Sequence, residues 1–315
     1  MTSKTIRKIT DKMAFCAKVF NKLKLMPLSI FLFKLKDKIV LNWIYKNYGD
    51  FIKNYKTPSP IAKKISFEKS PIWVCWLQGE ENAPILVKKC IESIKKNAGN
   101  HPVVVVVEEN IPNFVDIPKQ IFEKVTSENL SRTHFSDILR FMLLSIYGGM
   151  WIDSTFFITQ TLPEQYFEYS LFSAAKQPEP KDRRNVCISH YRWTSSFIGA
   201  NKPNHILFTF LRDILLEYEK NNSVFADYLL IDYFIYVAYC QFPEVKKDID
   251  NIFDNNIDFG WLFHVMNKKF NPKEAKKMLI GDTIAFKLSY KINWKKQTKG
   301  KTTYFGKFMD GNILK

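Results

Sequence analysis

The segment at residues 134–155 constrains the fold most, because it predicts a helix, a stop and a strand in direct succession. Apolar residues recur at helical spacing through its first half, and Ser136 is of a type that favours the N-cap. Gly148 and Gly149 follow where a left-handed C-cap would end the helix, and residues 150–152 begin a β-rich run. The sequence therefore predicts a helix that leads directly into a buried strand.

Three charged residues of this segment are candidates for ligand binding. Asp137 and Arg140 stand three residues apart, so their side chains emerge on one face of the predicted helix. Asp153 stands at the carboxyl end of the predicted strand, where open α/β sheets bind their ligands. The alternatives are an ion pair between Asp137 and Arg140 and a turn-capping role for Asp153.

The surrounding sequence predicts an α/β fold. Residues 72–77 and 103–107 read as buried strands, and residues 84–96 between them as an amphipathic helix. This order predicts a mainly parallel central sheet with helices on both faces. Two aromatic-rich helices are predicted at residues 206–218 and 225–239.

The N-terminal residues 1–58 form a basic arm with 13 Lys or Arg and three Asp or Glu, which is +10 of the net charge of +16. Apolar residues alternate with these lysines, as in amphipathic helices that lie on an anionic membrane surface. A helical extension that packs on the main domain and exposes its lysines to solvent would show the same pattern. Both interpretations stay open at this point.

Closely spaced prolines at residues 56–60 predict a linker, and the catalytic domain is predicted at residues 66–315. The polar residues 177–185 predict a loop that is either a lid or inert surface. No stretch approaches the roughly 18 unbroken apolar residues of a membrane span, and no signal peptide is evident. We expect a cytoplasmic protein, peripheral on the inner membrane face if the arm binds lipid. The five widely spaced cysteines predict reduced, mostly buried thiols.

The first predicted strand carries two tryptophans on opposite faces, because Trp73 and Trp76 are an odd number of residues apart. One of them therefore belongs to the core. Trp76 and Gln78 are candidates for binding a nucleobase by stacking and by hydrogen bonding.

A carboxylate in an apolar helix is a second catalytic candidate. Asp232 needs a polar partner there, and Tyr228 and Tyr236 would lie four residues away on the same helix face. Asp232 either orients an acceptor and assists removal of its proton, or belongs to a structural network with these tyrosines.

Two further groups of residues have either a binding role or a structural role. Lys287, Ser289 and Lys291 alternate with apolar residues, so a strand would point all three to one side, where they would either neutralise a diphosphate or protect a sheet edge. Gly199 and Asn201 would either contact an acceptor sugar or form a plain turn.

Residues 136–153 meet every letter of the pattern S-D-x-x-R-x-x-x-L-x-x-Y-G-G-x-W-x-D. This pattern resembles that of the capsular polysaccharide synthesis glycosyltransferases, which are related to the DxD-motif sugar transferases and, distantly, to the large clostridial glucosylating toxins. The resemblance covers roughly residues 70–292 and includes residues 72–84, 197–203, 230–233 and 286–291.

The resemblance implies a GT-A-like nucleotide-sugar-binding fold. It implies that Asp137 and Arg140 bind donor-sugar hydroxyls, that the glycines at 148 and 149 belong to the donor site, and that Asp153 lies at the ribose and a metal, Mn²⁺ or Mg²⁺. The sequence departs from the full DxD motif at Thr155, which stands where the second acid would be. Such metals are often held by one or two carboxylates with phosphate oxygens, so a single acid does not exclude them.

The implied function is retaining transfer of a sugar from a nucleotide-diphosphate donor, a UDP-sugar being favoured. The acceptor would be a growing capsular or lipopolysaccharide-type glycan, lipid-linked or a free oligosaccharide. A catalytically weak glycan-binding or scaffolding protein of the same fold is the alternative, motivated by Thr155. Nucleic acid is not expected as a partner, because the charge is concentrated in an apolar-rich arm without a recognition motif.

Overall fold

The structure, a computed structural model, describes residues 1–127, 130–174, 176, 187–222 and 224–314. The polar segment 177–185, predicted from the sequence to be a lid or an inert loop, lies outside these residues. The first helices are α1 (Ser3–Lys22), α2 (Met26–Lys53), α3 (Ile85–Lys96), α4 (Lys119–Thr126) and α5 (Arg132–Tyr147). The later helices are α6 (Gln165–Glu168), α7 (Ile206–Asn221), α8 (Leu230–Gln241), α9 (Pro243–Asn251), α10 (Trp261–Val265), α11 (Pro272–Leu279) and α12 (Tyr304–Met309).

The strands form one central sheet and two small pairs. They are β1 (Ile72–Cys75), β2 (Val103–Val106), β3 (Gly149–Ile152), β4 (Phe156–Ile158), β5 (Phe172–Ser173), β6 (Phe197–Ala200), β7 (Ala285–Lys287), β8 (Gln297–Thr298) and β9 (Lys301–Thr302). The central sheet has the order β2-β1-β3-β6-β5, and β4 pairs with β7 beside it.

The central sheet is rich in parallel strands but mixed. Strand β1 is parallel to β2 and β3, whereas β6 is antiparallel to both β3 and β5. The predicted βαβ order is therefore confirmed for the first strands, and the antiparallel β6 is the departure. Because β1 and β3 are parallel, their carboxyl ends meet at one edge of the sheet.

Helices cover both faces of the sheet, as predicted. The tryptophans at 73 and 151 point into a core shared with α5, α7 and α8. The alternating residues Ile72, Val74 and Met150 point into a second core against α3. Trp73 is fully buried, and its Nε1 donates a hydrogen bond to the Gly148 carbonyl at 3.0 Å.

Helix α5 begins one turn earlier than the sequence predicts. Ser131 is the N-cap, and its Oγ accepts the His134 N–H at 3.3 Å. Ser136 lies inside the helix and donates to the Thr133 carbonyl at 2.9 Å, so its prediction as N-cap is wrong. The additional turn moves Asp137 and Arg140 from the first turn into the body of the helix, where backbone bonds hold them more firmly.

The turn between α5 and β3 requires two glycines. Both Gly148 and Gly149 have positive φ angles, of 69° and 80°. A Cβ atom on Gly149 would lie 2.2 Å from the Pro71 carbonyl oxygen, and one on Gly148 would lie 2.8 Å from the Lys202 carbonyl carbon. These glycines allow the helix to join the strand without a longer loop.

The N-terminal arm is a helical hairpin that packs on the main domain. Helices α1 and α2 pack against each other, and α2 also packs against α8. Buried residues of the hairpin, among them Val40, Trp43 and Ile52, belong to the same core as Trp73. The packed extension predicted as one alternative is thus present.

A buried ion pair also joins the hairpin to α8. The Lys36 ammonium lies 3.0 Å from an Asp227 carboxylate oxygen and donates to the Tyr233 hydroxyl at 2.8 Å. Both charged side chains are almost fully buried. Lys36 also lies 3.8 Å from an Asp37 oxygen, so removal of Lys36 would leave two largely buried carboxylates without their cation.

Within the described ranges, no helix combines the length and the apolar character needed to cross a membrane. All five cysteines are free. Only Cys90 among them is buried, whereas Cys16 and Cys240 are exposed, so the prediction of mostly buried thiols is wrong.

The close approach at Gly149 generates a stability prediction. The substitution Gly149→Ala should lower the free energy of unfolding by about 3 kcal/mol, because the new methyl group meets a backbone carbonyl at a strained φ. Gly300→Ala is the matched control, since its φ is 70° and nothing lies within 4 Å of its Cβ position. Gly300→Ala should lower the free energy of unfolding, measured by urea denaturation, by about 1 kcal/mol. Equal decreases in the two variants would contradict the close packing assigned to Gly149.

Candidate active site

A cavity of about 330 Å³ opens at the edge of the sheet where β1 and β3 end. It is lined by residues from 75–78, 132–140, 151–155, 228–232 and 290–291. The first and third segments follow parallel strands, which is the place where α/β sheets bind ligands. Of the sequence-predicted site residues, the cavity is lined by Trp76, Gln78, Asp137, Arg140, Asp153, Asp232 and Lys291.

Two carboxylates and two cations form a network at the cavity: Asp137, Arg140 and Asp153 line it, and Lys287 contacts Asp153 without lining the cavity itself. The Arg140 guanidinium contacts an Asp137 oxygen and the Asp153 Oδ1 atom, each at 3.1 Å. Trp151 Nε1 donates to the same Asp153 oxygen at 2.8 Å, and Lys287 Nζ lies 2.5 Å from the other. The Arg140 side chain is buried, and its guanidinium carbon lies 4.9 Å from the centre of the Trp151 ring. Arg140 and Asp153, which are 13 residues apart in the sequence, are thus in direct contact.

The two carboxylates of this network differ in their electrostatics. Burial would raise the pKa of Asp153, but the charges of Lys287 and Arg140 outweigh it and lower the net value. Burial raises the pKa of Asp137 to about 6, and Arg140 offsets this only in part. Asp153 is therefore a firmly ionised anchor, whereas Asp137 accepts a proton in mildly acidic solution.

Asp232 is a third carboxylate of the cavity and lies apart from the network. Burial raises its pKa to about 6, although the hydrogen bond from Trp193 Nε1, 3.0 Å long, opposes this shift. The described residues place no cation within ion-pair distance of Asp232. The predicted network with Tyr228 and Tyr236 is wrong: α8 begins at Leu230, so Tyr228 lies outside the helix, and the side-chain partner of Asp232 is Trp193.

Two buried nitrogen donors face this region without a hydrogen-bond acceptor. They are Trp76 Nε1 and Arg140 Nε, and both lack a partner among the described residues. An unsatisfied buried donor costs about 1–3 kcal/mol, so such groups commonly mark the place of a ligand. Trp76 also stands edge-on to Tyr290, with ring centroids 5.3 Å apart. The prediction that one of Trp73 and Trp76 belongs to the core is confirmed by Trp73, which is fully buried.

Four predicted binding residues lie at the opposite end of the sheet. Gly148 precedes β3 and Gly149 begins it, and Gly199 pairs with Met150 near the amino end of that strand. Four residues of strand separate Gly149 from Asp153, which is about 13 Å. The Asn201 amide donates to the Glu168 carbonyl at 2.9 Å. None of the four lines the cavity, because the glycines serve close backbone packing and Asn201 fixes a turn.

The predicted row of Lys287, Ser289 and Lys291 is only partly formed. Strand β7 ends at Lys287, so the alternation of side chains does not continue beyond it. Lys291 lines the cavity together with Tyr290, which the strand pattern had placed on the other side. The Ser289 hydroxyl instead accepts the Lys291 N–H at 3.2 Å and caps the turn.

Sequence reasoning missed two aromatic residues of the cavity wall, His134 and Tyr290. His134 stacks on Phe225 with ring centroids 3.7 Å apart, and burial lowers its pKa to about 4, so the ring is neutral. The available signal was Ser131: as N-cap it places His134 inside the helix and close to the cavity. No local signal marked Tyr290, since its position depends on the end of β7.

The arrangement does not fit a divalent metal held by the protein alone. The described residues contain no group of three potential metal ligands. Asp153 is the acid predicted to bind metal, but both its oxygens already accept bonds from Arg140, Trp151 and Lys287. Thr155 contributes no second carboxylate. Lys287 thus places a positive charge against the Asp153 Oδ2 atom, which a metal ion would need as a ligand.

Comparison with known proteins assigns the family. The sequence model described as capsular polysaccharide synthesis protein matches residues 22–308. The chain belongs to this family. The match includes every element that lines the cavity, and it also includes α2 of the N-terminal hairpin.

Individual relatives of this family member are distant. The O-glycosyltransferase PaGT of Phomopsis amygdali is 24% identical over 227 residues, which cover 56% of this chain and 55% of the relative. The glycosyltransferase afumC of Aspergillus fumigatus is 25% identical over 175 residues, covering 44% of each chain. The chain therefore spans about half the length of the curated relatives it matches. A solved structure titled PaToxG Glycosyltransferase aligns over 69% of this chain and 84% of its own, at 16% identity and a TM-score of 0.39.

The raised pKa of Asp232 generates a prediction for stability against pH. A carboxyl group with a raised folded-state pKa binds its proton more tightly when folded, so stability falls as pH rises from about 4 to about 6. Asp232→Asn removes this cost, since an amide stays neutral and still accepts from Trp193. The variant should melt about 2–4 °C above the native protein at pH 8, and the difference should shrink as pH falls below 6. Asp254→Asn, at an exposed position, is the control, and a pH-independent difference for Asp232→Asn would contradict the assignment.

Proposed function

We propose that this protein is a glycosyltransferase that moves a sugar from a nucleotide-diphosphate sugar to a hydroxyl of a growing cell-surface glycan. The observation that carries the proposal is the network of Asp137, Arg140, Asp153 and Lys287 at the carboxyl ends of β1 and β3. It combines acceptors for sugar hydroxyls with cations for a diphosphate. The names of the two fungal relatives, both glycosyltransferases, support the same activity.

The nucleoside would bind at the end of β1. Trp76 offers an aromatic face there, and its buried Nε1 lacks an acceptor that a base or ribose oxygen would supply. Gln78 lines the same wall and can bond the edge of a base. We propose a UDP-sugar as donor, in a GT-A-like arrangement with the uracil against the contacting pair of Trp76 and Tyr290.

The sugar would be held by α5. Asp137 accepts bonds from hydroxyls, and the free Nε of Arg140 donates one. Arg140 is held by Asp153, and Asp137 is held by Arg140, so the sugar would meet groups that are already in place. Such orientation lowers the barrier because little positional freedom is lost at the transition state.

Departure of the diphosphate builds up negative charge, which preorganised cations stabilise. Lys287 and Lys291 are placed for this role, the first against Asp153 and the second on the cavity wall. A metal ion, if one binds with the donor, would take its remaining ligands from phosphate oxygens. The proposed step needs no protein-held metal, because the lysines provide the positive charge.

The acceptor would enter on the side of Asp232. Its carboxylate is ionised above about pH 6, so near neutrality it can orient an acceptor hydroxyl and accept the proton that this hydroxyl loses. The bond from the anomeric carbon to phosphate breaks while the bond to the acceptor oxygen forms. We propose retention through front-face attack, and an acceptor of capsular or lipopolysaccharide type that is carried on lipid.

Replacing Arg140 tests the sugar site. Arg140→Lys should lower kcat/KM for transfer or donor hydrolysis by about 100-fold, because a planar group that bridges two carboxylates becomes a point charge. Turnover can be followed by release of the nucleoside diphosphate from purified protein. Absence of any donor hydrolysis by the native protein would favour the glycan-binding alternative.

The matched control is Arg212→Lys. Arg212 is equally buried and also bonds a carboxylate, Asp213 at 2.7 Å, but it does not line the cavity. It should show a similar loss of thermal stability and activity within about threefold of native. If both variants lose activity alike, the effect of Arg140→Lys is structural and the site assignment is wrong.

A second test concerns the cation. If Lys287 neutralises the leaving diphosphate, EDTA should leave the rate within about twofold of its initial value, whereas Lys287→Met should lower it at least about 100-fold. Lys295→Met, at an exposed lysine outside the cavity, should be near native. Loss of activity in EDTA that Mn²⁺ or Mg²⁺ restores would contradict the role given to Lys287.

A further inference from the structure

The N-terminal hairpin exposes large apolar side chains around its turn. On α1 and the turn, Phe15 is 69% exposed and Leu23 is 62% exposed, and on the first turns of α2 Phe31 is 60% exposed. Val19, Leu25, Leu28 and Leu35 are exposed to between 36% and 48%. Single exposed apolar residues are ordinary, but seven of them on one hairpin indicate an interaction surface.

The charges of this surface are predominantly positive, and its exposed acid, Asp11, is paired with Arg7 at 2.7 Å. Exposed lysines flank the apolar residues, and the group comprises Lys8, Lys12, Lys18, Lys22, Lys24, Lys34 and Lys38. Between Asp11 and Asp37 the sequence contains no acidic residue. At 100° per residue, Lys8, Phe15, Val19 and Lys22 of α1 lie within about 60° of one another, on one side of the helix.

The opposite side of the hairpin is already occupied by its own chain. The Thr10 hydroxyl donates to the Ala226 carbonyl at 3.3 Å, and Lys36 forms its buried ion pair with Asp227. The exposed face is therefore the side that the fold leaves uncovered. A rigid attachment of this kind fixes the orientation of the cavity relative to whatever the face contacts.

The same helix reaches the rim of the cavity. The Arg7 guanidinium carbon lies 5.9 Å from the centre of the Tyr228 ring, and Tyr228 lines the cavity while remaining 69% exposed. Tyr228 belongs to the wall that also carries Asp232. A surface that contacts α1 along its exposed face would thus lie beside the acceptor side of the cavity.

We propose that this hairpin face docks on an anionic lipid bilayer, with the exposed apolar side chains of α1, the turn and the first turns of α2 inserted among the headgroups and the lysines paired with lipid phosphates. Docking along α1 places the Tyr228 rim next to the bilayer, so that a glycan acceptor attached to lipid reaches the cavity directly. This last consequence rests on the proposed glycosyltransferase function, whereas the docking itself does not.

The lysines and the apolar side chains should contribute comparably to the affinity of the hairpin for the bilayer. Each lysine near an anionic surface strengthens binding by roughly fivefold, so Lys18→Glu with Lys22→Glu should weaken it by at least about 20-fold. Burial of each phenylalanine ring contributes about tenfold or more, so Phe15→Ser with Phe31→Ser should weaken it by about 100-fold. All four positions are exposed, so the fold should be unaffected.

The experiment is vesicle flotation of the full chain with two compositions, phosphatidylcholine alone and phosphatidylcholine mixed with phosphatidylglycerol. We expect binding to the mixed vesicles only, lost in both double variants. The matched controls remove equivalent groups from another surface: Ile257→Ser with Ile280→Ser, and Lys276→Glu with Lys277→Glu. Both controls should bind the mixed vesicles as the native protein does.

Three outcomes would overturn the proposal. One is no binding to either vesicle, and another is binding that the controls lose as fully as the hairpin variants. The third is a dimer, seen without vesicles and abolished by Phe15→Ser with Phe31→Ser, which would assign the face to a second copy of the chain.

Donor binding separates this proposal from the proposed function. A thermal shift of the protein with UDP-sugar reports on the cavity without any lipid. Vesicle binding without a thermal shift by UDP-sugar would support docking and count against the transferase proposal. A thermal shift by UDP-sugar without vesicle binding would support the transferase proposal and count against docking.

Discussion

The contact of Arg140 with both Asp137 and Asp153 organises the site, because it joins a helix to the end of the strand that follows. Burial of an unpaired guanidinium or carboxylate is costly, so each of these groups is stable in its place only with the others present. Lys287 brings the C-terminal part of the chain to the same point. Two carboxylates and two cations balance within this network at neutral pH, and Asp232 lies outside it with no described cation at ion-pair distance.

The geometry of this network depends on a turn that the cavity never contacts. With both glycines at positive φ, α5 and β3 join directly, and the distance from Arg140 to Asp153 is short along the chain as well as in space. A longer connection would allow the helix to slide relative to the strand. The glycines of the motif therefore act on the site through position, about 13 Å away, and not through contact with a ligand.

Much of this could be predicted from the sequence, because the decisive features are local. The helix, the strand, Asp137, Arg140 and Asp153 lie within one segment whose periodicity and end signals are clear. The predictions that were wrong depend on contacts between segments that are distant in the sequence. Trp193 is 39 residues from Asp232, and the fold of β6 against β3 decides whether Gly199 faces a ligand or a neighbouring strand. Likewise, the end of β7 after Lys287, which sends Tyr290 into the cavity, is set by its pairing with β4 and by no residue of the run itself.

The buried pair of Lys36 and Asp227 has a consequence for the synthesis of the chain. The two residues are 191 positions apart, and the contact of Thr10 with Ala226 spans 216. At 5–20 residues per second, the hairpin leaves the ribosome about 10–40 s before the segment against which it packs. During that interval its inner face has no partner and Lys36 lacks its ion pair with Asp227, so the hairpin emerges well before it can reach its final packing.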